Sequence, residues 1–115
     1  MLLKETTKVF KALSDETRLR ILKLLLKAKS LCVSEITHIL KIPQATVSRN
    51  LGILREAGLV RDEREGQKVR YSVSPKTQRT FPGFLILGLK NWLNKDRVIL
   101  KDIRRLAPFL KKKSP

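Results

Sequence analysis

Apolar residues recur every three or four positions over the first quarter of the chain, with lysines between them, as in amphipathic helices. A first helix is predicted from the repeat that includes Leu2, Val9 and Leu13. Ser14 and Asp15 interrupt this repeat, and either side chain can accept hydrogen bonds from the free N–H groups of a following helix. The sequence therefore predicts two consecutive helices that meet at this pair.

Two short helical patterns follow, separated by a tight turn. Apolar residues between Val33 and Leu40 lie on one face of the first pattern. Pro43 disfavours helical geometry at the residue before it, which separates the first pattern from the second. The second pattern ends at Gly58, since glycine adopts the left-handed conformation of a helix end most readily. Together the two patterns predict a helix-turn-helix unit over residues 33–57.

Beyond that glycine the spacing changes from helical to strand-like. Leu59 and Val60 begin one strand, and apolar and polar residues alternate from Lys68 to Val73 in another. Gly66 lies between them and can adopt the positive φ of a tight turn. The sequence therefore predicts a β-hairpin, or wing, over residues 59–73.

A last helical pattern covers residues 84–106, after a proline-containing connector. The Asn-Lys-Asp sequence at 94–96 can kink or divide this pattern, so one helix and two helices both remain open. We assign residues 1–106 to a single domain and residues 107–115 to a basic, flexible tail. The expected fold class is mainly α with a β-hairpin wing, a winged helix-turn-helix.

The net charge of the chain says more about its partner than its length does. The chain has 115 residues, with 26 lysines and arginines against 10 aspartates and glutamates, for a formal net charge of +16. A hydrophobic fraction of 42% is ordinary for a folded protein. The charge predicts a densely negative partner, with nucleic acid first and an anionic membrane second. The bland alternative is a lysine-rich surface that serves solubility alone.

The sequence disfavours several other classes of protein. Cys32 is the only cysteine, which excludes an intramolecular disulfide framework. The sequence has no run of about 18 apolar residues and no signal-peptide pattern, so we expect a cytoplasmic protein. It has no catalytic triad, paired carboxylates or phosphate-binding glycine loop in a supporting context, so we expect neither an enzyme nor a cofactor.

The second short helix and the hairpin tip carry the predicted chemistry. A helix of this size fits the major groove of DNA, where its first turns present side chains to base edges. Glutamine can bind adenine and arginine can bind guanine through two hydrogen bonds each. Basic residues at the tip can reach the minor groove or flanking phosphates. The predicted DNA-contacting residues are Gln44, Thr46, Ser48, Arg49, Asn50, Arg55, Arg64, Gln67, Lys68 and Arg70.

Four segments of the chain resemble the ArsR/SmtB family of winged helix-turn-helix repressors. Residues 12–22 (ALSDETRLRIL) are similar to the family's A-L-[SA]-D-x-T-R-L-x-I-L signature, and residues 44–51 (QATVSRNL) to its recognition helix. Residues 55–60 and 65–73 are similar to the end of that helix and to the wing. The resemblance extends over about residues 5–75 without gaps. Asn50 stands where the family commonly has histidine.

The resemblance implies a homodimer held together mostly by the first and last helices. The long apolar pattern at 84–106, which includes Trp92, is consistent with this, because so small a core cannot bury all of it. A two-fold dimer predicts a palindromic DNA site with half-sites about one helical turn apart.

Family members usually release DNA on binding a metal, an arsenical or a redox signal, but this chain lacks their usual ligands. Arsenic sensors carry a C-V-C-D-L-C run where residues 32–37 of this chain are CVSEIT, with Cys32 as the single cysteine. Zinc, nickel and cobalt sensors place aspartate and histidine on the last helix, where this chain has only Asp96 and Asp102. We interpret His38 as a helix-surface or backbone-packing residue and expect no metal site.

Three hypotheses follow. The first is an ArsR-type repressor of double-stranded DNA whose inducer the sequence does not identify. The second is a repressor that responds to arsenicals or oxidants through Cys32, because the start of a helix favours a reactive thiolate. The third is an architectural protein that binds nucleic acid non-specifically through its charge.

Overall fold

The computed structural model describes residues 2–74 and 81–112, with only the backbone of residues 81–84 and 111–112. Six helices and three short strands make up these residues. The helices are α1 (Leu3–Leu13), α2 (Glu16–Ala28), α3 (Val33–Leu40), α4 (Gln44–Glu56), α5 (Phe81–Asn91) and α6 (Arg97–Lys112); the strands are β1 (Leu31–Cys32), β2 (Val60–Glu65) and β3 (Lys68–Val73). The expected mainly helical fold with a β-hairpin is confirmed.

The ends of the helices lie where local chemistry favours them. Asp15 precedes α2 and accepts a hydrogen bond from the backbone N–H of Arg18 at 3.0 Å. Lys41 ends α3 in the left-handed conformation, and Pro43 precedes α4. Gly58 follows α4 with φ +79°, which glycine adopts without the steric penalty of a Cβ atom. The helix-turn-helix of α3 and α4 thus has the predicted boundaries to within one residue.

The three strands form one antiparallel sheet in the order β1-β3-β2. Strands β2 and β3 are the predicted wing, with Arg64 paired to Val69 and Glu65 to Lys68 beside the turn. Gly66 lies in that turn with φ +63°. Strand β1 was not predicted, because two residues are too short for an alternating pattern; it pairs Leu31 with Tyr71.

The core lies where α2 packs against its neighbours. Fully buried side chains from α2, α3, α4, α6 and the segments around the sheet form one continuous cluster. Its largest members are Ile21, Leu22, Leu24, Leu25, Leu31, Ile36, Ile39, Leu51, Leu54, Leu59 and Leu106. The first helix contributes little, since only Val9 and Ala12 of α1 are buried.

In the C-terminal third, the structure answers one question that the sequence left open and corrects one expectation. Residues 92–96 divide the pattern predicted over 84–106 into α5 and α6, and the Asp96 carboxylate accepts the N–H groups of Val98 and Ile99 at 2.9 and 3.2 Å. The predicted tail at 107–115 is corrected as far as Lys112, because α6 continues to that residue and Phe109 and Leu110 pack on the core. Residues 113–115, and most of the predicted connector, lie outside the described residues.

Candidate nucleic-acid interface

Helix α4 is held rigidly by its inner face. Val47, Leu51 and Leu54 are fully buried and pack into the core cluster. Apolar residues at this spacing share one face of a helix. The opposite face therefore has a fixed orientation, and the polar side chains on it need little ordering when a partner binds.

The outward face of α4 presents most of the predicted base-reading residues. Gln44, Ser48 and Arg49 are exposed, and Thr46 is half-buried. No side chain caps the start of the helix at Pro43. The first backbone N–H groups are thus left to solvent or to an anion, and a phosphate suits them because the helix dipole is positive at this end.

Asn50 has a different role from the predicted one. Its side chain is buried, at 4% exposure. The amide accepts a hydrogen bond from Arg18 Nη1 at 2.8 Å and donates one to the Thr46 carbonyl at 2.9 Å. Asn50 therefore packs α4 onto the rest of the domain, and its assignment to the DNA-contacting set is corrected.

Arg18 is the residue that sequence reasoning missed. Besides Asn50, its guanidinium donates to the Ala12 carbonyl at 2.7 Å and to the Lys11 carbonyl at 3.2 Å. One side chain thus joins the end of α1, the start of α2 and the middle of α4. Its place in the family-like segment 12–22 was the available signal, but that segment gives no hint of the partner on α4.

Arg55 connects α4 to the wing. Its Nη1 donates to Asp62 Oδ2 at 2.8 Å, and about half of the Arg55 side chain remains exposed. The hydrogen bond to the Asp62 carboxylate raises the pKa of Arg55 above its ordinary value. Through this ion pair with Asp62, Arg55 is placed to orient the wing relative to α4. The exposed part of its side chain can also bind a phosphate.

The wing tip carries charges of both signs. Arg64, Gln67 and Lys68 are exposed, as predicted, but the exposed carboxylates of Glu63 and Glu65 lie among them. These carboxylates carry the same sign of charge as a phosphate and therefore repel it. The tip is therefore suited to one or two directed contacts through its basic side chains and less to a broad electrostatic surface.

Arg70 lies at the base of the wing and is half-buried. Its guanidinium donates to the side chain and the carbonyl of Ser30 at 3.1 and 3.2 Å and forms an ion pair with Glu35 at 3.4 Å. These bonds join β3 to the start of α3. Arg70 is thus an internal connection between the wing and the helix-turn-helix, and its assignment to the DNA-contacting set stays a prediction.

Cys32 lies just before α3 and is buried, at 4% exposure. Its Sγ is 3.2 Å from Ser34 Oγ, and its backbone N–H donates to the Glu35 carboxylate at 3.0 Å. Solvent therefore reaches the thiol poorly in this conformation.

His38 is exposed on α3 and contacts the Phe109 ring edge-on, with the centroids 5.6 Å apart. Within residues 2–74 and 81–112, no group of three or more His, Cys, Asp or Glu side chains is close enough to hold a metal ion. The same residues include no helix that is both long and apolar enough to cross a membrane.

A helix-turn-helix with an anchored, polar second helix and an adjacent β-hairpin defines the class of winged helix-turn-helix DNA-binding proteins. The model of the arsR family of bacterial regulatory proteins matches residues 15–62. The arsenic resistance transcriptional regulator ArsR1 of Pseudomonas putida is 38% identical over 98 residues, which is 83% of this chain and 77% of the relative. The chain belongs to the arsR family, and it is a DNA-binding transcriptional regulator.

Solved structures support the same fold. HlyU from Vibrio cholerae is 34% identical with a TM-score of 0.64, over 75% of this chain and 88% of that one. A homodimeric winged helix-turn-helix DNA-binding domain from Mycobacterium bovis is 30% identical with a TM-score of 0.67, over 76% and 77%. The resemblance inferred from the sequence motifs is thereby confirmed.

Proposed function

We propose that the chain is a cytoplasmic, homodimeric repressor that binds a palindromic operator in double-stranded DNA. The observation that carries the proposal is the two-sided character of α4, whose outer face is polar and exposed and whose inner face is apolar and buried. Each protomer inserts α4 into the major groove of one half-site. The base-reading and phosphate-binding residues are Gln44, Thr46, Ser48 and Arg49, with Arg55, Arg64, Gln67 and Lys68 on the flanking backbone.

Arg49 is the residue on which sequence specificity depends most. Its guanidinium is exposed on α4, one turn from the start of the helix. A guanidinium bound to the O6 and N7 atoms of guanine discriminates against the wrong base by about 1–3 kcal/mol. Ser48 and Thr46, with shorter side chains, bind neighbouring phosphates or bases and fix the register.

The dimer follows from apolar surface that the protomer leaves open. Phe10 of α1 is 49% exposed and Trp92 is 60% exposed. They line a groove of about 1080 Å³ together with Leu13, Leu19, Leu89 and Leu93. An exposed apolar region of this kind marks an interaction surface. A second copy related by a two-fold axis covers it and places two α4 helices on one side of the dimer.

The proposal about the effector rests on the arsenical and metal sites of the family that this chain lacks. Arsenic-resistance regulators are among the relatives, but trivalent arsenic requires two or three thiolates, and this chain has Cys32 alone. Cys32 is also buried. We therefore propose an inducer that is neither an arsenical nor a metal bound at the sites usual in the family.

Selection of DNA from a pool of random duplexes tests the proposed function. We expect the purified protein to enrich a palindromic sequence and to bind it at least about a thousandfold more tightly than unrelated duplex at physiological salt. Arg49→Ala should reduce this ratio by about tenfold or more, since one bidentate contact is lost.

Lys27→Ala is the matched control, because Lys27 is an equally charged, exposed residue at the far end of α2. It should leave the ratio unchanged. Enrichment of no sequence, with equal affinity for all duplexes and a steep dependence on salt, would instead support the architectural role.

A further inference from the structure

The charged residues on the exposed face of helix α6 are all basic. Arg97, Lys101 and Arg104 are exposed and recur at the i, i+4 and i+7 positions. Residues at this spacing lie on one side of a helix. We call these three residues the α6 basic face. Within the described part of the chain, none of them forms an ion pair with a carboxylate.

The acidic residue of α6 points the other way. Asp102 is 1% exposed and binds Arg20 through both oxygens, at 2.8 and 2.9 Å. Its charge is therefore neutralised inside the domain. The opposite side of α6 contributes Leu106 and Ile99 to the buried set. The amphipathic pattern of α6 thus separates an apolar, paired inner side from an outer side with three unneutralised cations.

Helix α6 also lies against the helix-turn-helix. The Arg20 guanidinium that binds Asp102 donates to the Leu40 carbonyl at 3.4 Å as well. Leu40 is the last residue of α3, and α4 begins at Gln44, four residues later. Near the other end of α6, Phe109 contacts His38 of α3. One guanidinium therefore bridges the middle of α6 and the turn that leads into α4.

We propose that the α6 basic face binds the phosphates of duplex DNA beside the segment that α4 reads, and so lengthens the DNA contact without reading bases. This inference rests on the proposed function, because α4 must first dock in the groove. Lys101 and Arg104 lie within one helical turn of Asp102, since each residue advances the helix by about 1.5 Å. Long cationic side chains at this position meet a backbone that carries one negative charge per about 1.7 Å of duplex.

Charge favours DNA over a second copy of the chain on this face. A two-fold interface places the same surface of both protomers together. The α6 basic face would then oppose its own cations without carboxylates to compensate them. An anionic membrane is also disfavoured, because a surface-bound amphipathic helix needs its apolar side for the lipid, and the inner side of α6 is committed to the core.

Binding to operator duplexes of two lengths tests the inference. The short duplex ends at the selected palindrome, and the long one extends it by about ten base pairs, one helical turn, on each side. Wild type is compared with R97Q/K101Q/R104Q and with K27Q/K29Q/K90Q. The second triple removes the same charge from exposed positions outside α6.

We expect wild type and the control triple to bind the long duplex about tenfold more tightly than the short one at moderate salt. The α6 triple should lose that gain, and its salt slope should fall by about 0.9 for each lost phosphate contact. Its preference for the palindrome over unrelated duplex should be retained.

Three results would overturn the inference. The first is an undiminished gain in affinity for the long duplex in the α6 triple, and the second is an equal loss of that gain in the control triple. The third is that the α6 triple loses binding to vesicles rich in anionic lipid while its binding to DNA stays unchanged. These outcomes differ from failure of the proposed function, in which wild type itself shows no preference for any sequence.

Discussion

At the scale of single residues, Asn50 and Arg49 are neighbours on α4 with different roles. Asn50 is buried and joined to Arg18 and to the Thr46 carbonyl, whereas Arg49 is exposed. One residue maintains the helix in place, and the other is free to contact a partner. Stability and DNA binding should therefore separate between adjacent positions.

Asn50→Ala should lower the free energy of unfolding by about 2 kcal/mol, because it removes a hydrogen bond to a charged group and leaves an N–H of Arg18 unpaired. Urea unfolding at fixed protein concentration measures the change. Ser48→Ala, on the exposed face of the same helix, is the control and should change stability by less than about 0.5 kcal/mol. Unchanged stability with weakened operator binding would restore Asn50 to the DNA-contacting set.

Cys32→Ser should leave operator binding unchanged, and arsenite should release neither the variant nor wild type from DNA. A buried single thiol offers arsenic one ligand where it requires two or three. Fluorescence anisotropy of labelled operator during arsenite titration measures the release. Release of wild type that disappears in Cys32→Ser would contradict this prediction and support the thiol-sensor hypothesis.

At the scale of elements, the largely buried ion pair between Asp102 and Arg20 joins α6 to α2. The side chain of Asp102 is 2% exposed and that of Arg20 is 21% exposed. The hydrogen bond to Asp102 raises the pKa of Arg20 above its ordinary value. A buried ion pair stabilises little by itself, but removing one partner leaves an uncompensated charge.

Asp102→Asn should therefore destabilise the protein by about 3 kcal/mol. Amide hydrogen exchange should show that protection is lost first along α6. Glu56→Gln makes the same chemical change at an exposed position and should have little effect. Equal loss of protection in α4 and α6 would show that Asp102 stabilises the whole core and does not position α6 in particular.

The elements also show how far sequence reasoning extends. The helix-turn-helix and wing were predictable because residues 33–73 carry clear periods, a proline and two glycines at their boundaries. The Asn-Lys-Asp sequence at 94–96 left one helix and two helices open over the last pattern. The contacts that accompany the division are not visible in the sequence: Leu93 adopts a positive φ of 67°, and Lys23 of α2 donates to the carbonyls of Leu89 and Trp92. These contacts join residues nearly seventy positions apart, which local patterns do not reveal.

The candidate site was predictable to the same degree. Exposed residues at the start of α4 and at the wing tip lie where the pattern placed them. Asn50 and Arg70 do not, because a polar residue in a sequence gives no sign of whether its partner is solvent or a distant group such as Arg18 or Glu35. Burial of paired polar groups is a tertiary property.

At the scale of the whole molecule, the excess of positive charge and the open apolar groove require different partners. Charge attracts DNA to every exposed basic surface, and this attraction is independent of sequence. The groove lined by Phe10 and Trp92 is apolar and suits a second protomer. In the proposed dimer the two α4 helices have a fixed separation, and we propose that this separation converts general attraction into recognition of a palindrome.

Hydroxyl-radical footprinting of the selected operator tests this central claim most directly. We predict two protected half-sites, centred about 10 base pairs apart on one face of the duplex, and loss of both in Arg49→Ala at protein concentrations where wild type protects fully. Uniform protection along the duplex, or the same footprint in Arg49→Ala as in wild type, would contradict the claim that α4 reads the operator.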